Sequence, residues 1–191
     1  MDYKQGTVVS ISMVKLNIWA LIVTIVMLFG VPIIHLAIFG EAGFTVTLPG
    51  LILFLAAMII IVCIHEAIHL MGFRYIAGVP RQELAWGINW KLGAAYAHAK
   101  KPVKAVHMKK VLLLPLIPTG ILPLALGVSI DLLPLSFLGI ILMTGCLGDI
   151  ALYRKLAKFP NSALVLDHPS KPQFTVYERD DYDWSLENDM D

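Results

Sequence analysis

Three polar side chains, His65, Glu66 and His69, stand on one turn of an otherwise apolar stretch, in the run His65-Glu66-Ala67-Ile68-His69. On a helix, residues four apart share a face, so the two histidines can aim their imidazoles at one Zn²⁺. Glu66 lies beside that face, within reach of a water activated by the metal yet not needed as a ligand. Two ligands and one base are the parts of metal-assisted peptide hydrolysis. The metal lowers the pKa of water to about 7 and polarises a carbonyl, while the carboxylate takes the water's proton and passes it to the leaving amine. The bare five-residue pattern arises by chance in many soluble proteins. Here it lies in an apolar run, residues 48–77, whose only other charge is Arg74. Ionisable groups at the centre of a membrane helix cost roughly 2.5–3.5 kcal/mol each on insertion scales, so three on one turn ask for a function.

A hydrolytic zinc site needs a third protein ligand and an open position. Depth sorts the candidates. His65 lies 16 residues beyond Pro49 and Asp149 lies 15 beyond Pro134. At about 1.5 Å per residue, both reach one level in spans that run the same way. Asp131 falls at the opposite surface. Asp149 is also a charge inside an apolar segment, Gly145-Cys146-Leu147-Gly148-Asp149, whose glycines would let its helix approach the histidine helix closely. The competing use of that carboxylate is a pair with Arg154. Glu83, His98 and His107 are interfacial alternatives as ligands, and Cys146 suits packing, as does His35 in the first apolar run.

The elements that must position these groups are membrane spans. The chain of 191 residues is 58% hydrophobic and 15% charged, with a mean hydropathy of +0.74, which excludes an ordinary soluble domain and, with a net charge of +1, gives no ground for a nucleic-acid partner. The expected fold is an all-α membrane protein with about four transmembrane helices, at 16–39, 48–77, 106–130 and 135–156. The first run is too long for a cleavable signal peptide, and no small-residue cleavage pattern follows it. The third contains Pro115, Pro118 and Pro123 and should be a broken helix lining the protein interior. Arg81, Lys91, Lys100, Lys101, Lys104, Lys109 and Lys110 between the second and third runs, and Arg154, Lys155 and Lys158 after the fourth, read as cytoplasmic clusters. Both termini are then expected in the cytoplasm of a multi-pass protein of the cell membrane. Between 84 and 99, glycines and aromatics predict a short interfacial β-hairpin, with strands over 84–88 and 94–98 and with Trp86 and Trp90 at headgroup level. The membrane-embedded domain is expected over 1–160. Residues 161–191 form a small cytoplasmic C-terminal tail, with short strands over 163–166 and 174–177 around a turn at Asp167-His168-Pro169-Ser170, and a disordered acidic end. Cys63 and Cys146 read as apolar filler rather than a disulfide.

These residues resemble intramembrane zinc metalloproteases of the site-two type, which pair a membrane HExxH helix with an aspartate from a later span. A closer resemblance is to a zincin peptidase family of small bacterial multi-pass membrane proteins. Its pattern is matched by His65 to His69, Tyr96-Ala97-His98, the span through Pro115 and Pro123, Gly148-Asp149, and Asp167-His168-Pro169. The resemblance implies zinc at His65, His69 and Asp149, with Glu66 catalytic. One departure is that Asp149 follows a glycine and precedes Ile150, whereas the site-two enzymes tend to place the aspartate before a glycine.

The expected function is a membrane-embedded zinc metalloendopeptidase that hydrolyses a peptide bond of a membrane protein or peptide near the cytoplasmic face. Its partners would be that substrate and the lipid bilayer. His98 would be an interfacial histidine or a donor to the substrate carbonyl, and His168 a structural residue of the tail. The alternatives are a metal-binding transporter or sensor, which needs the ligands but no general base, and a non-catalytic adaptor with the same fold.

Overall fold

The computed structural model describes residues 6–89, 94–168 and 172–178. Trp90, Lys91, Gly93, Pro169, Ser170 and the acidic end beyond 178 lie outside the described residues. After strand β1 (Thr7–Ser10), helix α1 (Met13–Phe39) starts where the Ser12 hydroxyl accepts the Lys15 N–H, and it stops at Gly40, whose φ of 79° is left-handed. Helix α2 (Leu48–Tyr75) is capped by the Thr47 hydroxyl, with Pro49 in its first turn where no N–H is missed. Gly78, at φ 72°, turns the chain out of it.

Strands β2 (Leu84–Asn89) and β3 (Ala94–Ala99) pair antiparallel, with Ala85 opposite His98, as the expected hairpin. Strand β4 (Val103–Lys104) leads into α3 (Ala105–Leu113), a π-helical segment (Leu116–Ile121) and α4 (Leu122–Ser129). Pro115 falls at the joint before the π-helical segment, Pro118 within that segment, and Pro123 in the first turn of α4, where no N–H is missed. After a turn at Asp131, φ 54°, come α5 (Leu133–Gly145) and α6 (Leu147–Leu156), followed by strands β5 (Leu164–Asp167) and β6 (Gln173–Tyr177).

Four helical spans, Met13–Phe39, Leu48–Tyr75, Ala105–Ser129 and Leu133–Leu156, are long and apolar enough to cross a membrane. The most apolar windows of the first two are 11% and 0% buried, against 39% for the last two, so α1 and α2 turn apolar surface outward while the broken spans build the interior. Helices α4 and α5 touch through backbone: a Cβ on Gly139 would stand 2.3 Å from Leu124 N, and one on Gly127 would stand 2.4 Å from Ser136 N.

The chain's two ends meet in one antiparallel sheet of order β1-β6-β5-β4, with Thr7 opposite Val176 and Val103 opposite Val165. The expected strands near 163–166 and 174–177 are two strands of that sheet. Phe174, Val165 and Val176 pack against Phe73, Met108 and Leu156 in the larger apolar core. Strands β1 and β4 escape sequence reading because their partners lie 60 residues away or more.

Candidate metal centre

The last turns of α2 carry His65, Glu66 and His69, and α6 carries Asp149 in its first turn. The helices bring three ligand groups together. His65 Nε2 lies 3.2 Å from His69 Nε2 and 3.3 Å from Asp149 Oδ2, and His69 Nε2 lies 3.6 Å from Asp149 Oδ1. A tetrahedral ion with ligand bonds of about 2.0–2.1 Å has ligand-to-ligand edges of about 3.3 Å. The donor set and its spacing therefore fit zinc.

Hydrogen-bond direction explains why the two Nε2 atoms face each other. His69 Nδ1 lies 3.1 Å from the Val111 carbonyl, which only accepts, so Nδ1 carries the ring proton. That carbonyl accepts the Leu114 N–H at 3.2 Å and keeps a lone pair for His69, because the usual helical donor, residue 115, is a proline without an N–H. His65 Nδ1 lies 3.1 Å from Thr119 Oγ1, whose own proton goes to the Pro115 carbonyl at 2.7 Å, so here too Nδ1 donates. Both Nε2 atoms are then bare lone pairs turned towards each other and a carboxylate. A cation between them resolves that arrangement, and outer partners on Nδ1 are what metal-binding histidines use to fix tautomer and aim. Thr119 and Val111 hold the two histidines at Nδ1, and the sequence reading missed both positions. The prolines marked a broken helix, but which side chains the break would serve depends on packing across helices.

Cys146 belongs to the same cluster, with His65, Cys146 and Asp149 offering ligand atoms within 4.8 Å of one another. Its sulphur meets His65 on the Nδ1 edge, at 3.8 Å, and donates to the Leu142 carbonyl at 3.3 Å. It therefore backs the ring that Asp149 meets from the front, as a packing residue does. The partners of Asp149 are the two histidines rather than Arg154. Gly145 and Gly148 do not serve close approach to α2: nothing lies within 4 Å of a Cβ on Gly145, and the nearest atom to one on Gly148 is Leu16 Cδ2 at 3.8 Å. They line open space instead.

That space is a cavity of about 600 Å³ lined by His65, Glu66, His69 and Asp149, by the first turns of α1, and by strand residues 95–98 and Asp167. Glu66 thus shares the cavity with the ligand cluster, whereas Glu83 and His107 are not among its lining residues. His98 is buried, with both ring nitrogens lacking a hydrogen-bond partner among the described residues. Burial, then the charges of Lys100 and His168, lower its pKa and hold it neutral. Burial also pushes the Asp167 carboxyl up to about 7, against the pull of the His168 N–H. His35 is a satisfied core histidine, fully buried, with Asp131 Oδ1 at 2.7 Å and Ser136 Oγ at 3.0 Å. Asp131 joins that cluster and not the site.

The fold and the site define a four-span protein with an HExxH helix and a carboxylate brought to its two histidines from a later span. The chain belongs to the family described as "Putative zincin peptidase", whose model matches residues 58–164. No curated protein and no solved structure matches it.

Proposed function

We propose that the protein is a membrane-embedded zinc metalloendopeptidase, with His65, His69 and Asp149 as ligands and Glu66 as general base. The observation that carries this reading is the meeting of two proton-free Nε2 atoms and a carboxylate beside Glu66 in one cavity. Bound zinc supplies a Lewis acid that lowers the pKa of a water and polarises a carbonyl. Val111 and Thr119 hold both imidazoles in the ligating tautomer. Glu66 takes a proton from the attacking water at a carboxylate oxygen and returns it to the leaving amine nitrogen. Apolar side chains of α1, α3 and α5 line the cavity beside the reacting groups.

The substrate is a membrane protein or peptide presented as an extended strand. Residues 95, 96, 97 and 98 all line the cavity. Side chains alternate along a strand, so consecutive lining residues mean that the edge of β3 borders the space. Its other edge is paired with β2, and an extended segment laid along the free edge gains main-chain hydrogen bonds. The Lys and Arg clusters near the strands support a site towards the cytoplasm, with both termini on that side.

The test is zinc analysis and cleavage of candidate membrane substrates by protein purified in detergent. Wild type should bind one zinc and cleave. Glu66→Gln should keep the zinc and lose cleavage, Asp149→Ala should lose the zinc, and Asp131→Ala should keep it. Zinc-free wild type, or equal cleavage by Glu66→Gln, refutes the reading. A transporter or sensor would keep working in Glu66→Gln.

A further inference from the structure

One polar group in the cavity has no role in the chemistry so far. His98 is 7% exposed, and both of its ring nitrogens are enclosed without a protein partner among the described residues. Leaving such a group unsatisfied costs about 1–3 kcal/mol, so a buried imidazole in the wall of a cavity marks a place where something binds. A second polar group lines the same cavity. Asp167, at the end of β5, uses Oδ1 to accept the backbone N–H of His168 at 2.9 Å, which leaves Oδ2 for another donor. Asp167 is close enough to the ligand cluster to feel the charges of His69 and Asp149. His98 and Asp167 come from separate sheets, β3 of the hairpin and β5 of the four-stranded sheet, and both line the cavity that holds the ligand cluster.

The chemistry of this pair matches one kind of ligand. A neutral imidazole has one donor and one acceptor, and a carboxyl oxygen accepts whether or not its partner oxygen is protonated. An extended peptide presents carbonyl oxygens and N–H groups in turn, and the rest of the lining is largely apolar. We propose that His98 and Asp167 form a clamp for the substrate backbone, His98 donating to the carbonyl oxygen of the bond being cut and Asp167 accepting a neighbouring backbone N–H. This rests on the metallopeptidase reading and extends it. As the carbonyl oxygen gains negative charge, the His98 contact strengthens, which makes it worth more in the transition state than in the bound substrate. The clamp also explains why the C-terminal sheet is built against the site: β5 carries one jaw.

The experiment uses two uncleaved probes on the full chain in detergent with its zinc content measured. Acetohydroxamate reaches the metal only; a hydroxamate carrying two apolar residues reaches the metal and the backbone clamp. On wild type the second should bind at least tenfold more tightly. His98→Ala and Asp167→Ala should each weaken it at least tenfold while acetohydroxamate stays within twofold, and His98→Gln and Asp167→Asn should recover most of the loss. Methylating the probe's backbone nitrogen gives a check on wild type alone, with an expected tenfold loss, and no further loss should appear in Asp167→Ala. The clamp is overturned if the peptidyl probe binds the alanine variants as it binds wild type, or if methylation costs nothing. Absence of zinc with neither probe bound is a different result: it refutes the metal site, and the clamp falls with it.

Discussion

A histidine can offer Nε2 to a metal only while Nδ1 keeps the ring's single proton. In this chain that condition is met by the Val111 carbonyl, which accepts from His69 beside the Leu114 N–H because the proline at 115 has no N–H to give, and by Thr119, whose hydroxyl hydrogen is already committed. Thr119→Val removes the acceptor at His65 Nδ1 while keeping the side chain's shape. It should weaken zinc binding by roughly 10–100-fold with the fold intact, read by competition with a chelator. Asp167 gives a second prediction, in pH. Its carboxyl ordinarily titrates near 3.8, and burial takes it to about 7. The folded state holds the proton more tightly than the unfolded one, so the stability this confers is present in full below 3.8 and is lost as pH rises through about 7. Asp167→Asn, which stays neutral, should therefore unfold at a higher temperature than wild type at pH 8, with the gap closing towards pH 4. An equal gap at both pH values would remove burial as the cause.

At the scale of elements, the glycines fall into two kinds with opposite signatures. Gly139 lies where α5 meets the backbone of α4, and a side chain there has nowhere to go. Gly139→Leu should cost on the order of 1–3 kcal/mol or more, seen as a lower unfolding temperature. Gly145 faces the open cavity, so Gly145→Leu should leave that temperature nearly unchanged and instead fill space a substrate needs, raising KM. The sequence alone did not separate these glycines, because their spacing is the same kind of signal in both. What could be read from it was local or periodic. Apolar runs of membrane length fixed the spans, glycines and aromatics marked the hairpin, and counting residues from Pro49 and Pro134 put Asp149 level with His65. Thr119 could not be found that way, since its use depends on a π-helical segment packed across from α2. Asp167 stood in view as part of a turn, but its place in the cavity follows from β5 pairing with strands before and after it.

Over the whole molecule, the sheet ties the N-terminal strand to the C-terminal one across four spans, so both described ends lie on one face of the bundle. Single cysteines introduced at Thr7 and at Glu178 should be labelled from the same side of sealed membrane vesicles by an impermeant thiol reagent, with Cys63 replaced. Labelling from opposite sides would contradict both the span count and the pairing. The same pairing bears on how the protein is made. Strand β1 leaves the ribosome first and has to wait for β6, the last described strand, before its ladder can form. Helix α6 with Asp149, and then Asp167, also arrive late. A nascent chain that has inserted only the two histidines therefore has neither the proposed third ligand nor a finished wall, and the cavity is complete only once β5 has been made.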